Sequence, residues 1–342
     1  MKIVYISIVM LFFSQAKAKD YTKNLQAIQC MDTLLKKYGF TQNELIALFS
    51  NVTVQQEALN AFVPREKQKR IKDTRTPAQV QKAKQINLQY GAWERYVRLK
   101  VTEKRIRQGV DFIQKHKKTF EEVEKKYGVP KEYIAAILGV ETVYGKNVGK
   151  YPIFDTLVTL AFEENRRNDF FRKELIHFLR LSKSQHFNPK DVKGSHAGAI
   201  GLGQFLPSNY DAYGVDFDKD GKITLQKADD AIASIGNYLK KNGWRKDEPV
   251  AVHVFCNEKR FSRYETGHTH FYNPDNLVGL LPLLPWNYKG KVCLIKLEKK
   301  EYDEIWYGAK NFFVITRYNH SDYYAMSIHQ LAQKIKKRFY EN

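Results

Sequence analysis

The sequence has 342 residues, of which 43% are hydrophobic and 13% aromatic, and a formal net charge of +20. This composition provides enough apolar surface for a substantial core and argues against a disordered chain. The basic excess predicts attraction to a polyanion, which could be nucleic acid, an anionic membrane or an anionic cell-wall polymer. The alternative is that basic runs such as residues 65–72 form a solvated face.

Residues 1–18 are predicted to be a secretory signal peptide. Lys2 precedes an apolar run from Ile3 to Ser14, and the small-x-small sequence Ala16-Lys17-Ala18 follows it. The run of about 12 apolar residues is shorter than the roughly 20 that a membrane-spanning helix needs. Cys30 lies too far from the predicted cleavage site for lipid attachment. We therefore expect an exported chain without a transmembrane anchor after cleavage, for which nucleic acid is the least favoured partner.

Helical periodicity dominates the chain from residue 21 to residue 183. Residues 19–75 are predicted to form an N-terminal helical segment and a connector, with a Thr41-x-x-Glu44 capping box in the segment. The connector is the polar and basic stretch 51–77, which contains two prolines. The predicted helical stretches are Tyr21–Ser50, Ala78–Lys100, Thr102–Tyr127, Phe154–Glu164 and Asp169–Lys183.

Glu141 lies in another predicted helix, between Pro130 and Gly145. Its face of that helix is otherwise apolar and carries Ile134, Ile137 and Leu138. Burial and the negative end of the helix dipole would both raise the pKa of Glu141, as a general acid near neutral pH requires. The alternative is a glutamate turned to solvent at the helix end.

Two polar segments are candidates for contacts with a substrate. Arg166 and Arg167 stand between two predicted helices and would suit a carboxylate or phosphate-like group, or else form a solvated helix start. Residues 194–210 contain four closely spaced glycines followed by Gln204. This pattern indicates backbone close to a large polar ligand such as a sugar, or a tight loop with small-residue contacts. The segment lacks the Gly-Lys-Ser/Thr ending of a phosphate-binding loop.

The segment Asp216-Phe-Asp-Lys-Asp-Gly-Lys222 matches the first seven positions of an EF-hand calcium loop. Its oxygen ligands would be the side chains of Asp216, Asp218 and Asp220 and the carbonyl of Lys222. The twelfth position is Lys227 instead of a bidentate glutamate, so the closing carboxylate would have to come from Asp229 or Asp230. The sequence predicts a structural calcium ion here; the alternative is a metal-free acidic turn.

Residues 249–317 are predicted to form a small antiparallel sheet. Strand-like runs occur at Val250–Phe255, Lys291–Leu297 and Phe312–Thr316. Residues 318–342 contain a final helix with an apolar face that carries Ile328, Leu331, Ala332 and Ile335. The predicted fold class is therefore α+β and predominantly α-helical, with a helical core at residues 76–248 to which the C-terminal helix returns.

In combination, these motifs resemble the B-type lytic murein transglycosylases, enzymes with a lysozyme-like core that cut bacterial peptidoglycan. The resemblance covers about residues 20–340 and depends on several motifs in the same order. They are Gly139-Val-Glu-Thr-Val-Tyr-Gly145, Asn165-Arg-Arg167, Gly198-Ala-Ile-Gly-Leu-Gly-Gln-Phe-Leu-Pro-Ser208, the calcium-type loop, Trp306-Tyr-Gly308 and Thr316-Arg-Tyr-Asn-His-Ser321.

The resemblance implies a role for each matching residue. Glu141 would be the sole catalytic acid and base. The residues implied to line the cleft around the sugar are Ser195, Gln204, Asn319 and Tyr324, with Tyr96, Arg166 and Arg167 further along the groove. The implied calcium ligands are Asp216, Asp218, Asp220, Lys222 through its carbonyl, and Asp230. Leu202 departs from the family, in which an aromatic residue is common, and puts one sugar-stacking contact in doubt.

The implied function is cleavage of peptidoglycan glycan strands in the periplasm by a monomeric enzyme that holds structural calcium and no organic cofactor. The bond between N-acetylmuramic acid and N-acetylglucosamine would be broken without water, to give 1,6-anhydro ends. Most glycosidases need two carboxylates, whereas only Glu141 stands in a core-like setting among the motifs. The alternatives are a lysozyme-type muramidase that uses water and a non-catalytic cell-wall-binding protein.

Overall fold

The computed structural model describes residues 18–63 and 75–341. Apart from Ala18, the predicted signal peptide lies outside the described residues, as do residues 64–74 of the predicted connector. Within the described ranges, no helix combines the length and the apolar character that a membrane crossing needs.

Helices make up most of the regular structure in the described part of the chain, and the predicted fold class is confirmed. The helices are α1 (Leu25–Tyr38), α2 (Gln42–Phe49), α3 (Gln56–Phe62), α4 (Pro77–Gln89), α5 (Ala92–Lys100), α6 (Glu103–Lys115), α7 (Lys117–Tyr127), α8 (Lys131–Thr142), α9 (Ile153–Phe162), α10 (Asn168–Ser184), α11 (Pro207–Tyr213), α12 (Ala228–Lys241), α13 (Lys310–Tyr318) and α14 (Asp322–Glu341). The strands are β1 (Ala18–Lys19), β2 (Val52–Thr53), β3 (Tyr151–Pro152), β4 (Lys193–Gly194), β5 (Ala251–Phe255), β6 (Phe271–Tyr272), β7 (Leu281–Pro282), β8 (Val292–Glu298) and β9 (Asp303–Gly308).

The described residues form two compact units. The first contains residues 18–63, 151–192 and 196–198, and the second contains residues 75–150, 193–195 and 199–341. Residues 151–192 therefore cluster with the N-terminal helices, although they follow Glu141 in the chain. The domain limits predicted from the sequence, at residues 75, 248 and 317, stay predictions.

In the first unit, α9 packs against α10 and buries a group of aromatic side chains. Phe154 and Phe178 are fully buried, and Phe171 packs edge-on against Phe62 at a centroid distance of 4.8 Å. Phe62 belongs to α3, which lies in the stretch predicted as a connector. Tertiary contacts stabilise this helix, whose seven residues are too few to show a clear periodicity. The predicted capping box at Thr41 is confirmed, because Thr41 and Glu44 each accept the other's backbone N–H.

Helix α8 lies among four other helices of the second unit, α6, α7, α12 and α14. Of its 12 residues, only Lys131 and Glu141 are not buried. Ile134, Ile137 and Leu138 are fully buried, so the predicted apolar face is part of a surface that is covered on nearly all sides. The position of Glu141 is therefore fixed by the core of the unit.

A five-stranded antiparallel sheet in the second unit has the strand order β6-β8-β9-β5-β7. Strands β5 and β8 confirm two of the predicted strands to within one residue. The central strand β9 was not predicted from the sequence. Its alternating buried residues Ile305 and Tyr307 pack in the sheet core, but its first two residues are acidic and conceal the strand pattern.

The third predicted strand, Phe312–Thr316, is wrong, because these residues lie in helix α13. Their aromatic and β-branched side chains favour a strand locally. In the structure Phe312, Ile315 and Thr316 are fully buried and α13 packs against α14, so tertiary contacts override the local preference. The predicted apolar face of α14 is confirmed by the complete burial of Ile328, Leu331, Ala332 and Ile335.

Candidate active site

Glu141 lies in the last turn of α8 and keeps partial access to solvent, while its helical neighbours Val140 and Thr142 are buried. Burial raises the pKa of its carboxyl group above the usual range. The hydrogen bond from Tyr324 and the positive charge of Lys100 oppose this rise but do not cancel it. The predicted desolvation of Glu141 is therefore present, although the residue is not fully buried.

Tyr324 holds the carboxyl group directly. Its hydroxyl donates to Oε1 of Glu141 at 2.6 Å, and its side chain is only 2% exposed. Burial and the nearby Glu141 carboxylate raise the pKa of Tyr324 well above its usual value, so the phenol remains a donor. A fixed donor on one carboxyl oxygen orients the group and leaves the other oxygen for proton transfer.

Two further tyrosines surround this pair. The ring of Tyr318 stacks on Tyr324 with a centroid distance of 6.4 Å and an angle of 10°, and its hydroxyl donates to the carbonyl of Gly203. The pKa of Tyr96 is raised by burial and by the negative charge of Glu141. Within the described residues, the charged group that acts on the Glu141 pKa is the Lys100 cation, and no carboxylate does so.

The backbone turns sharply after helix α8. Val143 and Tyr144 have φ values of 53° and 58°, in the left-handed region that β-branched and bulky residues rarely adopt. Contacts on both sides hold this strained turn in place. The hydroxyl of Tyr144 donates to the carbonyl of Arg105 at 2.9 Å, and Oγ1 of Thr142 accepts the backbone N–H of Gly145 at 2.9 Å.

Thr142 also ties helix α8 to the glycine-rich segment. Its hydroxyl donates to the carbonyl of Leu202 at 2.9 Å. The next carbonyl in the chain, that of Gly203, accepts the hydrogen bond from the Tyr318 hydroxyl. Gly201 has a φ of +75°, and a β-carbon there would lie 2.6 Å from the carbonyl oxygen of Leu225, so only glycine fits. The segment is thereby fixed beside Glu141 from two directions.

The predicted residues of this segment brace its backbone. The side-chain amide of Gln204 donates to the carbonyls of Val148, at 3.1 Å, and Gly201, at 2.9 Å. The hydroxyl of Ser195 accepts the backbone N–H of Ala199 at 3.0 Å. Both side chains are partly exposed, so they can also face a ligand.

The calcium-type loop brings three of its four predicted acidic ligands together, whereas Asp220 lies outside this group and pairs with Lys227. One carboxylate oxygen from each of Asp216, Asp218 and Asp230 lies within 4.8 Å of the others. Oδ1 of Asp216 is buried without a hydrogen-bond partner, which suits a cation ligand. Asp229, the alternative closing residue, instead accepts a hydrogen bond from Thr119 at 2.6 Å. The donor set therefore fits calcium, with Asp230 in the closing position.

The chain matches the transglycosylase SLT domain family over residues 23–333. It belongs to that family. It is 36% identical over 318 residues to membrane-bound lytic murein transglycosylase B of Escherichia coli (strain K12), which covers 92% of this chain and 84% of that protein. The resemblance to the B-type lytic murein transglycosylases is thus confirmed, and the chain is a lytic murein transglycosylase that acts on peptidoglycan.

Solved structures agree with this assignment and with the lysozyme-like fold. The Escherichia coli lytic transglycosylase SLT35 in complex with calcium has a TM-score of 0.81 and 33% identity, and the match covers 95% of this chain and 96% of that chain. The soluble lytic transglycosylase SltB1 of Pseudomonas aeruginosa has a TM-score of 0.75 and 35% identity, with 92% and 99% covered.

Some of the predicted site residues of the transglycosylase lie in one group around Glu141. Glu141, Tyr324 and Tyr96 form one group, and Gln204 is joined to it through the glycine-rich segment. Asn319 is exposed at the end of α13, directly after Tyr318. The roles of these residues towards a sugar stay predictions.

Arg166 and Arg167 belong to the first unit. They line a cavity of about 480 Å³ there, and the guanidinium of Arg167 lies 3.9 Å from the ring centroid of Phe170. Their predicted place along the glycan groove stays a prediction.

Sequence reasoning missed Tyr318 and Lys100 as neighbours of Glu141. Tyr318 stands inside the Thr316-Arg-Tyr-Asn-His-Ser321 motif and could have been selected from it. Lys100 ends the predicted helix Ala78–Lys100 and carries no motif, so nothing in the sequence marks it.

Proposed function

We propose that this lytic murein transglycosylase cleaves the bond between N-acetylmuramic acid and N-acetylglucosamine without water and leaves 1,6-anhydro ends, with Glu141 as the single acid and base. The observation that carries the proposal is the setting of Glu141: a desolvated carboxyl group that one tyrosine orients, with no carboxylate partner among the described groups that shift its pKa. A second carboxylate is what most hydrolytic glycosidases add.

In the first step, protonated Glu141 donates its proton to the glycosidic oxygen. The bond between the anomeric carbon and that oxygen breaks, and the leaving sugar departs with a neutral hydroxyl. Burial raises the pKa of Glu141 and so increases the share of the acid form, which is the form that this step needs. The positive charge that develops on the anomeric carbon is stabilised by the N-acetyl group of the substrate itself.

In the second step, the Glu141 carboxylate accepts the proton of the C6 hydroxyl while that oxygen bonds to the anomeric carbon. The ring closes to the 1,6-anhydro sugar and Glu141 regains its starting proton. The Tyr324 hydroxyl and the Lys100 cation stabilise the carboxylate between the two steps, since both lower the pKa of Glu141 relative to burial alone. The acid therefore stays able to act as a base.

Further parts of the proposal concern binding and location. Ser195, Gln204 and Asn319 would contact the sugar and its N-acetyl group, and Arg166 and Arg167 would contact substrate carboxylates. The calcium ligands would be Asp216, Asp218, Asp220, the Lys222 carbonyl and Asp230. Calcium would supply cross-linking of the loop and take no part in the chemistry. The predicted signal peptide would deliver a monomeric enzyme to the periplasm.

Digestion of purified peptidoglycan in H₂¹⁸O tests the reaction type. Ring closure by the C6 hydroxyl incorporates no solvent oxygen, so mass spectrometry should find unlabelled anhydro ends. Reducing ends that carry ¹⁸O would instead establish a lysozyme-type hydrolase. Undigested polymer, bound but intact, would identify a non-catalytic wall-binding protein.

A further inference from the structure

The calcium-type loop contains a cation of its own. Lys227 stands at the twelfth position from Asp216, where an EF-hand loop has a bidentate glutamate. Its ammonium nitrogen lies 2.8 Å from Oδ2 of Asp218 and also pairs with Oδ2 of Asp220. We propose that Lys227 is a built-in counter-cation that competes with calcium and lowers the affinity of the loop for the ion. This inference rests on the calcium site proposed above.

The competition follows from which carboxylate oxygens remain free. Oδ1 of Asp218 accepts the backbone N–H of Asp220 at 3.3 Å, and Oδ1 of Asp220 accepts the backbone N–H of Lys222 at 2.9 Å. Oδ2 is therefore the oxygen that each aspartate can offer to a cation. Lys227 contacts Oδ2 in both residues, so its ammonium group occupies the atoms that would ligate calcium.

The inner side of the loop is arranged differently. Asp230 is fully buried, and its two oxygens accept the backbone N–H groups of Phe217, at 2.8 Å, and Thr224, at 2.7 Å. Oδ1 of Asp216 is buried and without a partner. Lys227 thus balances the two outer, exposed carboxylates and makes no ion pair with Asp216 or Asp230 among the described residues, so Oδ1 of Asp216 stays open to the ion. Full ligation of calcium requires the lysine side chain to leave.

The position of Lys227 in the backbone supports this role. It is the residue that caps the N-terminus of α12, yet its side chain makes no capping hydrogen bond. Asp230, which supplies the closing carboxylate, lies three residues later in the first turn of the same helix. The start of α12 therefore holds Lys227 beside the loop. The ammonium group can therefore reach Asp218 and Asp220 without a rearrangement of the backbone.

The expected effect is moderate, because both ion pairs are exposed. Each exposed pair changes an equilibrium constant by up to about fivefold, so removal of two pairs should tighten calcium binding by about three- to tenfold. A glutamate at the same position would restore the missing acidic ligand and should tighten binding further. The metal-free protein should lose the stabilisation that the two pairs provide.

Calorimetric titration of the metal-free full chain with calcium chloride tests the proposal. Lys227→Gln should bind calcium about three- to tenfold more tightly than wild type, and Lys227→Glu more tightly still. Lys219→Gln is the matched control, because it removes the same charge from the same loop, whereas the ion pairs of Asp218 and Asp220 among the described residues are made by Lys227. The control should change the affinity by less than about twofold.

Thermal unfolding in the presence of EDTA gives a second measurement. Without metal, Lys227→Gln should unfold about 2 °C below wild type, because the outer carboxylates have lost their counter-cation. Equal calcium affinities in wild type and Lys227→Gln would overturn the role of Lys227 and leave the calcium site intact. Asp216→Asn, which removes a proposed ligand, is the negative control. If wild type and both Lys227 variants also show no binding, the calcium site itself is wrong, and with it the competition.

Discussion

Replacement of Tyr324 by phenylalanine removes one hydrogen bond from the Glu141 carboxyl group and keeps the aromatic ring. The lost contact is the O–H donor 2.6 Å from Oε1 of Glu141, in a site where the tyrosine is 2% exposed. A hydrogen bond to a charged group contributes about 1.5–3 kcal/mol, and most of that favours the carboxylate over the acid. The substitution should therefore raise the pKa of Glu141 further.

The sign of the effect is measurable in the pH dependence of kcat/KM. The first step needs the protonated form of Glu141, so activity declines as pH rises through its pKa. In Tyr324→Phe this basic limb should move to higher pH by about one to two units, since 1.36 kcal/mol corresponds to one unit. The maximal rate should fall about tenfold or more, because the carboxyl group loses its orientation and its stabilised base form.

Tyr318→Phe is the matched control for this experiment. It removes a hydroxyl that donates to the Gly203 carbonyl and not to Glu141, and the stacked ring remains. Its basic limb should stay close to that of wild type. A Tyr324→Phe profile that is unchanged, or that moves to lower pH, would refute the assignment of Tyr324 as the donor that sets the protonation of Glu141.

Two other predictions concern stability. Thr142→Val removes the buried hydroxyl that donates to the Leu202 carbonyl and accepts the Gly145 N–H, and it should lower the free energy of unfolding by about 1–3 kcal/mol in chemical denaturation; an unchanged midpoint would show that these two bonds contribute nothing. If the proposed calcium ion cross-links the carboxylate-rich loop, its removal with EDTA should lower the Tm of the wild-type protein, whereas Asp216→Asn should show little response to EDTA. A wild-type Tm that chelation does not change would count against the calcium site.

The position of Glu141 could be predicted because the information is local. The apolar residues Ile134, Ile137 and Leu138 recur at helical spacing, and their burial in the structure requires the glutamate to share their side of α8. The start of the calcium-type loop could be predicted for the same reason, because nearby residues determine it. Each of its backbone turns is set by residues two to five positions apart.

The contacts of Glu141 could not be predicted by such spacing. Tyr324 follows it by 183 residues, and only the resemblance to a family selected that tyrosine. The contacts of Lys227 could not be predicted either. The sequence shows that Lys227 departs from the EF-hand pattern, but it does not show that the lysine ammonium group lies against Asp218 and Asp220. The segment Phe312–Thr316 is wrongly predicted as a strand, because its side chains favour a strand locally. Packing against α14, which the sequence does not show, stabilises the helix instead.

The central claim is that one carboxyl group both gives and takes the proton. Its most direct test is the rate at which Glu141→Gln releases 1,6-anhydro muropeptides from purified peptidoglycan, with Tm measured to establish that the variant is folded. The amide has the size of the acid but cannot exchange the proton, so the rate should fall by at least about a thousandfold while Tm stays near that of wild type. A folded Glu141→Gln protein that released anhydro products at the wild-type rate would contradict the claim.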